Sequence, residues 1–229
     1  MALLSLLSGC MGSSVNTSKQ VEKKLSEKYG EDFVVTEIGN RFNTGSATLY
    51  CHPESNENIN FTVVYDFSDE TITDDYMIRK SAVNLDSEIS ELSRKSGIAF
   101  ASITVFHGAI DDNLDGTEDV SEFIRKSGTH RLYMHLAVNA DDISDESDAA
   151  VILDSLHEIS RKYDNIDVLA VLFAYHSDDY NKCSAELSEQ TKANNLWFKS
   201  FSPISDYTVK IEKSIMNQSA AEFWEVVKG

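Results

Sequence analysis

Basic residues are scarce in this chain: 20 Lys and Arg stand against 38 Asp and Glu, a formal net charge of −18, and no run of cations occurs. A protein that binds nucleic acid must neutralise phosphates, so this balance excludes that class of partner. No apolar stretch approaches the ~18 residues needed to span a bilayer as a helix. Only two residues are proline and three are cysteine. Catalytic signatures are missing as well: there is no Gly-x-Ser-x-Gly elbow, and the turn from Gly39 to Gly45 holds no phosphate-loop lysine. What is present is 41% hydrophobic and 10% aromatic residues over 229 positions. That is enough to bury a core, which excludes an acidic disordered chain.

The N-terminus carries a compartment signal. Leu3-Leu4-Ser5-Leu6-Leu7-Ser8-Gly9-Cys10 is an apolar run closing on small residues and a cysteine, the pattern of a secretory signal tail. Leu7-Ser8-Gly9-Cys10 resembles the lipobox of bacterial lipoproteins. The resemblance implies that Cys10 is lipidated, that residues 1–9 are removed as a signal remnant, and that the chain sits on the extracytoplasmic face of the cell membrane. Signal peptides open on positive charge, yet the first cation is Lys19; residues 1–9 are therefore expected to be the end of a longer signal. Residues 10–18 read as a polar tether. With Cys10 assigned to lipid, Cys51 and Cys183 remain; they can pair, although Cys51 shares an apolar strand face with Ala47 and Leu49, as a small buried thiol does.

Periodicity places the elements. Val21, Leu25 and Tyr29 form a helical stripe within 19–29, followed by strands over 33–38, 46–52 and 60–67. A long helix over 74–95 carries Ile78, Ala82, Leu85, Ile89 and Leu92 inward, against the preceding sheet, with Asp74 and Asp75 at its positive end. Beyond it come strands at 99–106, 131–139 and 166–175, the last apolar on both faces and hence central. Helices are expected at 145–163, 178–192 and 220–227, with a short one ending near Ser127, and an edge strand at 207–211. Four helix-to-strand junctions repeat a cationic last turn followed by Gly30, Gly97, Gly128 or Asp164, which suits the left-handed cap and the negative helix end. The expected fold is α+β: antiparallel or mixed sheets with helices packed on one face, as one domain or as two halves, 19–96 and 97–229. Lys28-Tyr29-Gly30-Glu31-Asp32-Phe33, the three strands and Asp74-Asp75-Tyr76 resemble segments of uncharacterised Gram-positive lipoproteins, a likeness that implies no activity.

One loop has metal-ligand spacing. Asp111, Asn113, Asp115, Gly116, Thr117, Asp119 and Glu122 fill positions 1, 3, 5, 6, 7, 9 and 12 of the calcium-binding EF-hand loop. Calcium takes six to eight hard oxygens, and alternate side chains around a sharp glycine turn converge on one point. Asp111, Asn113, Asp115, Asp119 and Glu122 would give side-chain oxygens and Thr117 its carbonyl. Position 8, commonly aliphatic, is Glu118, and the preceding Ile103-Thr104-Val105-Phe106 favours strand over helix. An isolated loop entered from a strand is the form to expect. Between His107 and Asp148 there are eleven acidic and three basic residues, a surface able to gather cations, face a basic partner or merely be solvated. His157-Glu158-Ile159-Ser160-Arg161 begins like a zinc helix but has Arg where the second histidine belongs. His135 with Tyr133, and Tyr175-His176, sit on neighbouring strands where a pocket is conceivable. The expected function is a lipid-anchored, non-enzymatic module that binds a protein or peptide, with a possible structural Ca2+; the alternative is an envelope enzyme or small-ligand receptor without a recognisable motif.

Overall fold

The computed structural model describes residues 9–39, 45–109, 114–187, 190 and 194–228, with side chains from residue 16 onward. The described residues up to Arg79, together with 114–118, form one compact unit, and the others from Lys80 onward form a second. The expected α+β class holds: one unit is built on an antiparallel sheet and the other on a mixed sheet.

The first unit opens with α1 (Gly9–Tyr29) and continues through β1 (Phe33–Ile38), β2 (Ser46–Pro53), β3 (Phe61–Asp66) and β4 (Ile72–Asp74). The strands pair in sequence order, all antiparallel, with a bulge in β1 between Val35 and Glu37. Alternation buries Ala47, Leu49 and Cys51 of β2 and Phe61, Val63 and Tyr65 of β3, while Tyr50 and Val64 point to solvent. Val21, Leu25 and Tyr29 of α1 join this core as the stripe predicted. Tyr29, Phe33, Phe61 and Tyr76 pack edge-on or tilted, with ring centroids 4.7–5.9 Å apart. Leu114 and Glu118, both buried, tie the segment 114–118 to this unit.

Two expectations are corrected here. Residues 10–18 are helical rather than a tether, because α1 begins at Gly9. Once Thr17, Val21 and Leu25 are buried, extending the helix backwards adds a hydrogen bond per residue without a new nucleation cost. Asp74 also closes a strand, β4, too short to show in the sequence; its carboxylate nevertheless accepts from the backbone N–H of Tyr76 at 3.1 Å, at the start of α2 (Tyr76–Ser96). Residues 1–8, on which most of the expected signal remnant falls, lie outside the described residues.

The boundary between the units falls inside α2, between Arg79 and Lys80, rather than at Ser96-Gly97. The physical reason is that the body of α2 serves the following sheet, not the preceding one. Asp86 accepts from Ser102 Oγ at 2.6 Å, Thr104 Oγ1 at 2.7 Å and Thr104 N at 3.2 Å, and Ser93 Oγ accepts from Phe100 N at 2.9 Å. These groups belong to β5 (Phe100–His107), the edge strand of the second sheet.

That sheet runs β5, β6 (Arg131–Asn139), β7 (Asp167–Tyr175), β8 (Ser205–Glu212), β9 (Ile215–Met216). Neighbours are antiparallel except β6 and β7, which are parallel and joined through α4 (Glu146–Lys162). β7 is central, as its apolar faces predicted. β8 is flanked by β9 over Ile211 and Glu212, so it is an edge only along its first part; Lys213 and Ser214 between them have φ of 51° and 63°, the geometry of a two-residue hairpin turn. The left-handed caps occur where the four junctions put them: φ is 72° at Gly30, 78° at Gly97, 73° at Gly128 and 54° at Asp164.

Helices cover both faces of this sheet, not one. Ser102 and Thr104 carry α2, and Lys162 and Tyr163 at the end of α4 reach Glu88 of α2 at 2.7 and 2.8 Å, so α2 and α4 share a face. α7 (Ala220–Val227) joins them, stacking Phe223 on Tyr207 of β8 at 5.2 Å. The opposite face takes α5 (Ser177–Leu187) and α6 (Asn195–Lys199), whose Tyr180, Cys183, Leu187 and Phe198 pack with Ile103, Ala137 and Phe173. α5 spans Ser177–Leu187; of the rest of the helix expected to 192, residues 188, 189, 191 and 192 lie outside the described residues, and α6 is too short to register as a periodicity.

Candidate functional site

The calcium-loop residues divide between the units. Asp111 and Asn113 lie outside the described residues. In the first unit Asp115 Oδ1 accepts from Thr117 N at 3.0 Å and Thr117 Oγ1 at 2.6 Å, and buried Glu118 accepts from the N–H groups of Asp115 and Gly116, both at 3.2 Å. In the second, Asp119 is the N-cap of α3 (Val120–Ser127), accepting from Glu122 N at 2.8 Å, and Glu122 pairs with Arg125 at 3.7 Å. The loop is entered after strand β5, as the sequence predicted. No group of three or more His, Cys, Asp or Glu is gathered for a metal among the described residues.

The other carboxylates of this acidic stretch also work locally. Asp145 caps α4, accepting from Ser147 N at 2.8 Å and Asp148 N at 3.2 Å, and Asp148 accepts from Ser144 N at 2.8 Å. These hydrogen bonds hold both carboxyls below the usual aspartate range. Asp142 accepts from Ala99 N at 2.9 Å, beside the start of β5.

At the carboxyl ends of the parallel strands β6 and β7, Asn139, Asp141, His176 and Ser177 form one cluster. Asp141 accepts from His176 Nδ1 at 2.9 Å, from Ser177 N at 2.9 Å and from Ser177 Oγ at 2.8 Å. Ser177 Oγ also lies 3.2 Å from Asn139 Oδ1. These are the residue types of a nucleophile triad, but the connectivity differs: the serine hydroxyl is tied to the carboxylate and not to the imidazole, so the serine–histidine pair of a triad is not made. Asp141 instead holds the first turn of α5. Its carboxyl is pulled down to about 2 by the His176 ring first and the Ser177 N–H and hydroxyl next. Because the folded value lies below the unfolded one, the contribution is present above about pH 4 and is lost as pH falls toward 2. Asp141→Asn is therefore expected to lower the urea midpoint at about pH 5, with the deficit shrinking by about pH 2.5; an equal deficit at both would overturn the assignment.

A partly uncovered apolar face lies on the α5–α6 side of the second sheet. β6 and β7 share one burial pattern: alternate residues are half-exposed in the first half and both faces are buried in the second. The cause is that α5 and α6 cover only the upper rows. Ile103, Ala137 and Phe173 lie beneath them with Ala101 and Val171 at the margin, whereas the lowest row, Val105, Tyr133, Leu169 and Lys210, is half-buried to exposed. Val105 is 40% exposed, and Leu196 on α6, beside this face, is 79% exposed. His135 stands at the border, stacked on Phe198 at 5.5 Å, with Nε2 2.8 Å from Asn195 Oδ1. Burial pushes its pKa down and keeps the ring neutral. The lower rim is charged but compensated: Arg131 pairs with Asp167 at 3.5 Å and Glu212 at 3.3 Å, and Lys210 with Glu212 at 2.9 Å. The result is an apolar, near-neutral platform on a strongly acidic chain. Sequence reading found Tyr133 and His135 on one strand face but missed the platform, which depends on where a five-residue helix stops.

A cavity of about 430 Å³ lies beside the first residues of β6 and β7, lined among others by Arg125, His130, Asn165, Asp167 and Lys213. Cys51 and Cys183 are free and buried, so they do not pair, and burial pushes their thiols up to about 12 and about 11, which leaves them protonated and unreactive. His157 rests its Nε2 3.0 Å from the Ser214 carbonyl, a structural contact.

By architecture, then, this is a two-unit α+β protein with a half-open mixed sheet. No protein-family model matches the chain, and neither does any curated protein. Its fold is similar to the crystal structure of a DUF5037 family protein from Ruminococcus gnavus, with a TM-score of 0.63 and 14% identity over 93% of this chain and 99% of that one. At that identity the likeness is one of fold.

Proposed function

We propose that this chain is a lipid-anchored, extracytoplasmic binding protein that receives a protein or peptide partner on the open half of its second sheet. The observation that carries the reading is the partly uncovered row of Val105, Tyr133 and Leu169, with the exposed Leu196 beside it. Exposed apolar surface rimmed by charge is the usual mark of an interaction face, and compensated charge removes the repulsion that the rest of this acidic chain offers to an acidic partner. The Leu7-Ser8-Gly9-Cys10 pattern supports the anchor. The EF-hand spacing from Asp111 to Glu122 supports a bound Ca2+, for which heat on titration with calcium is the expected result and silence at millimolar calcium the refutation.

Two measurements test the reading. Cells expressing the full-length precursor are expected to incorporate a palmitate analogue into this protein, and Cys10→Ser to abolish the label; an unlabelled wild type removes the anchor. Crosslinking on intact cells is expected to capture a specific partner with wild type and to lose it with Val105→Asp, which puts a charge on the platform without touching the core. Capture unchanged by Val105→Asp would move the interface elsewhere. The 430 Å³ cavity favours the second reading, a small-ligand receptor; saturable stabilisation of the purified protein by a small metabolite, lost on Lys213→Ala, would support it.

A further inference from the structure

His107 ends β5 and His130 precedes β6, and the two rings meet edge to face with centroids 4.8 Å apart. His107 Nδ1 lies 3.0 Å from His130 Nε2, and both side chains are exposed. The backbone fixes this meeting. Gly108 has φ 81°, and a Cβ there would lie 2.7 Å from His130 Nδ1 and 2.8 Å from Cε1. Only glycine both adopts that conformation freely and leaves room for the ring. On the other side, Tyr133 braces the His107 ring at 5.0 Å. The nearest strong cation in register with His107, Arg131, is occupied by Asp167 and Glu212.

We propose that His107 and His130 form a two-imidazole site for a borderline transition-metal ion, with Zn2+ as the probe. Zinc binds imidazole nitrogen at about 2.0–2.1 Å. Two such bonds at a tetrahedral angle put the nitrogens about 3.3 Å apart, so the facing pair needs to open by a few tenths of an ångström and each exposed ring to turn by roughly 35° to aim its lone pair at the ion. In the apo pair one nitrogen donates to the other. On metal binding both present lone pairs, and the displaced proton is carried by the far nitrogen of its own ring, Nε2 of His107 or Nδ1 of His130. No third His, Cys, Asp or Glu completes the set among the described residues. The site is chemically separate from the EF-hand spacing: neutral nitrogen selects zinc, nickel or copper, and Ca2+ demands hard oxygen.

The test is titration of the full chain with Zn2+ at about pH 7.5, read by calorimetry and by long-range ¹H–¹⁵N NMR of the histidine rings. Saturable binding is expected, with shifts concentrated on His107 and His130. His107→Gln and His130→Gln should each weaken binding about ten-fold or more, and Gly108→Ala should weaken it by displacing a ring while retaining both ligands. Calcium should leave the ring signals unmoved. Wild-type zinc affinity in either glutamine variant, or shifts dominated by other histidines, would overturn the proposal.

Discussion

Replacing Asp74 by alanine is expected to destabilise the first unit by about 3–5 kcal/mol, the scale for breaking a buried charge pair from one side. The Asp74 side chain is 0% exposed, and it accepts from Lys28 Nζ at 2.9 Å, Tyr29 Oη at 2.6 Å and Tyr76 N at 3.1 Å. One carboxylate thus joins the last turn of α1, the end of β4 and the first turn of α2. Alanine removes the acceptor for all three donors. The Lys28 ammonium, whose side chain is 34% exposed, can turn to water, but the Tyr29 hydroxyl and Tyr76 N–H are held beside the aromatic cluster with Phe33 and Phe61 and lose a charged acceptor there. Asp74→Asn keeps an acceptor oxygen and is expected to cost roughly half as much. Both tryptophans, Trp197 and Trp224, belong to the second unit, so fluorescence is blind to the first. The measurement is hydrogen exchange: peptides from 17–79 should lose protection in Asp74→Ala, and unchanged protection there would refute the role given to this carboxylate.

Most of the fold was legible because alternation and helical spacing follow from burial, and burial dominates long elements. Phe33–Ile38, Arg131–Asn139 and Ala220–Val227 fall where periodicity put them. Elements of two to five residues, β4, β9 and α6, were not legible, since no period can be counted in them. The unit boundary was missed for a different reason. The stripe Ala82, Leu85, Ile89 reports that α2 has an inner face, but not which sheet that face serves; Asp86 and Ser93, polar and unremarkable in sequence, decide it.

The acidic stretch shows how charge misleads when read as a patch. Asp119 and Asp145 are helix caps, Glu118 turns inward onto its own loop, and Asp141 and Asp142 bind backbone N–H groups at the ends of α5 and β5. Much of the negative charge between His107 and Asp148 therefore answers local donors. The face proposed for binding lies instead on lower, half-exposed positions of β6 and β7, whose residues Tyr133 and Leu169 look like ordinary strand residues. What exposes them is the short reach of α5 and α6, a tertiary fact without a local signature.

Asp86 carries the second large effect. β5 is an edge strand, and an edge presents free N–H and C=O groups to any passing chain. Here alternate outward N–H groups are taken by α2: Phe100 N by Ser93 Oγ and Thr104 N by Asp86. Asp86 also accepts from the hydroxyls of Ser102 and Thr104, which are 8% and 1% exposed. Alanine at 86 leaves two nearly buried hydroxyls and an edge amide without this acceptor, so Asp86→Ala is expected to cost about 2–4 kcal/mol. It should also unblock the edge, so that the variant self-associates at concentrations where wild type stays monodisperse. Asp86→Asn retains one acceptor and should recover part of the stability. Ser93→Ala provides the comparison: it frees Phe100 N but removes no charge, so a smaller loss with some self-association is expected. Equilibrium unfolding followed by Trp197 and Trp224 fluorescence reads the stability, and light scattering reads the association. If Asp86→Ala loses stability yet stays monodisperse, this carboxylate holds the helix to the sheet but does not guard the edge. Wild-type stability in the variant would remove both roles.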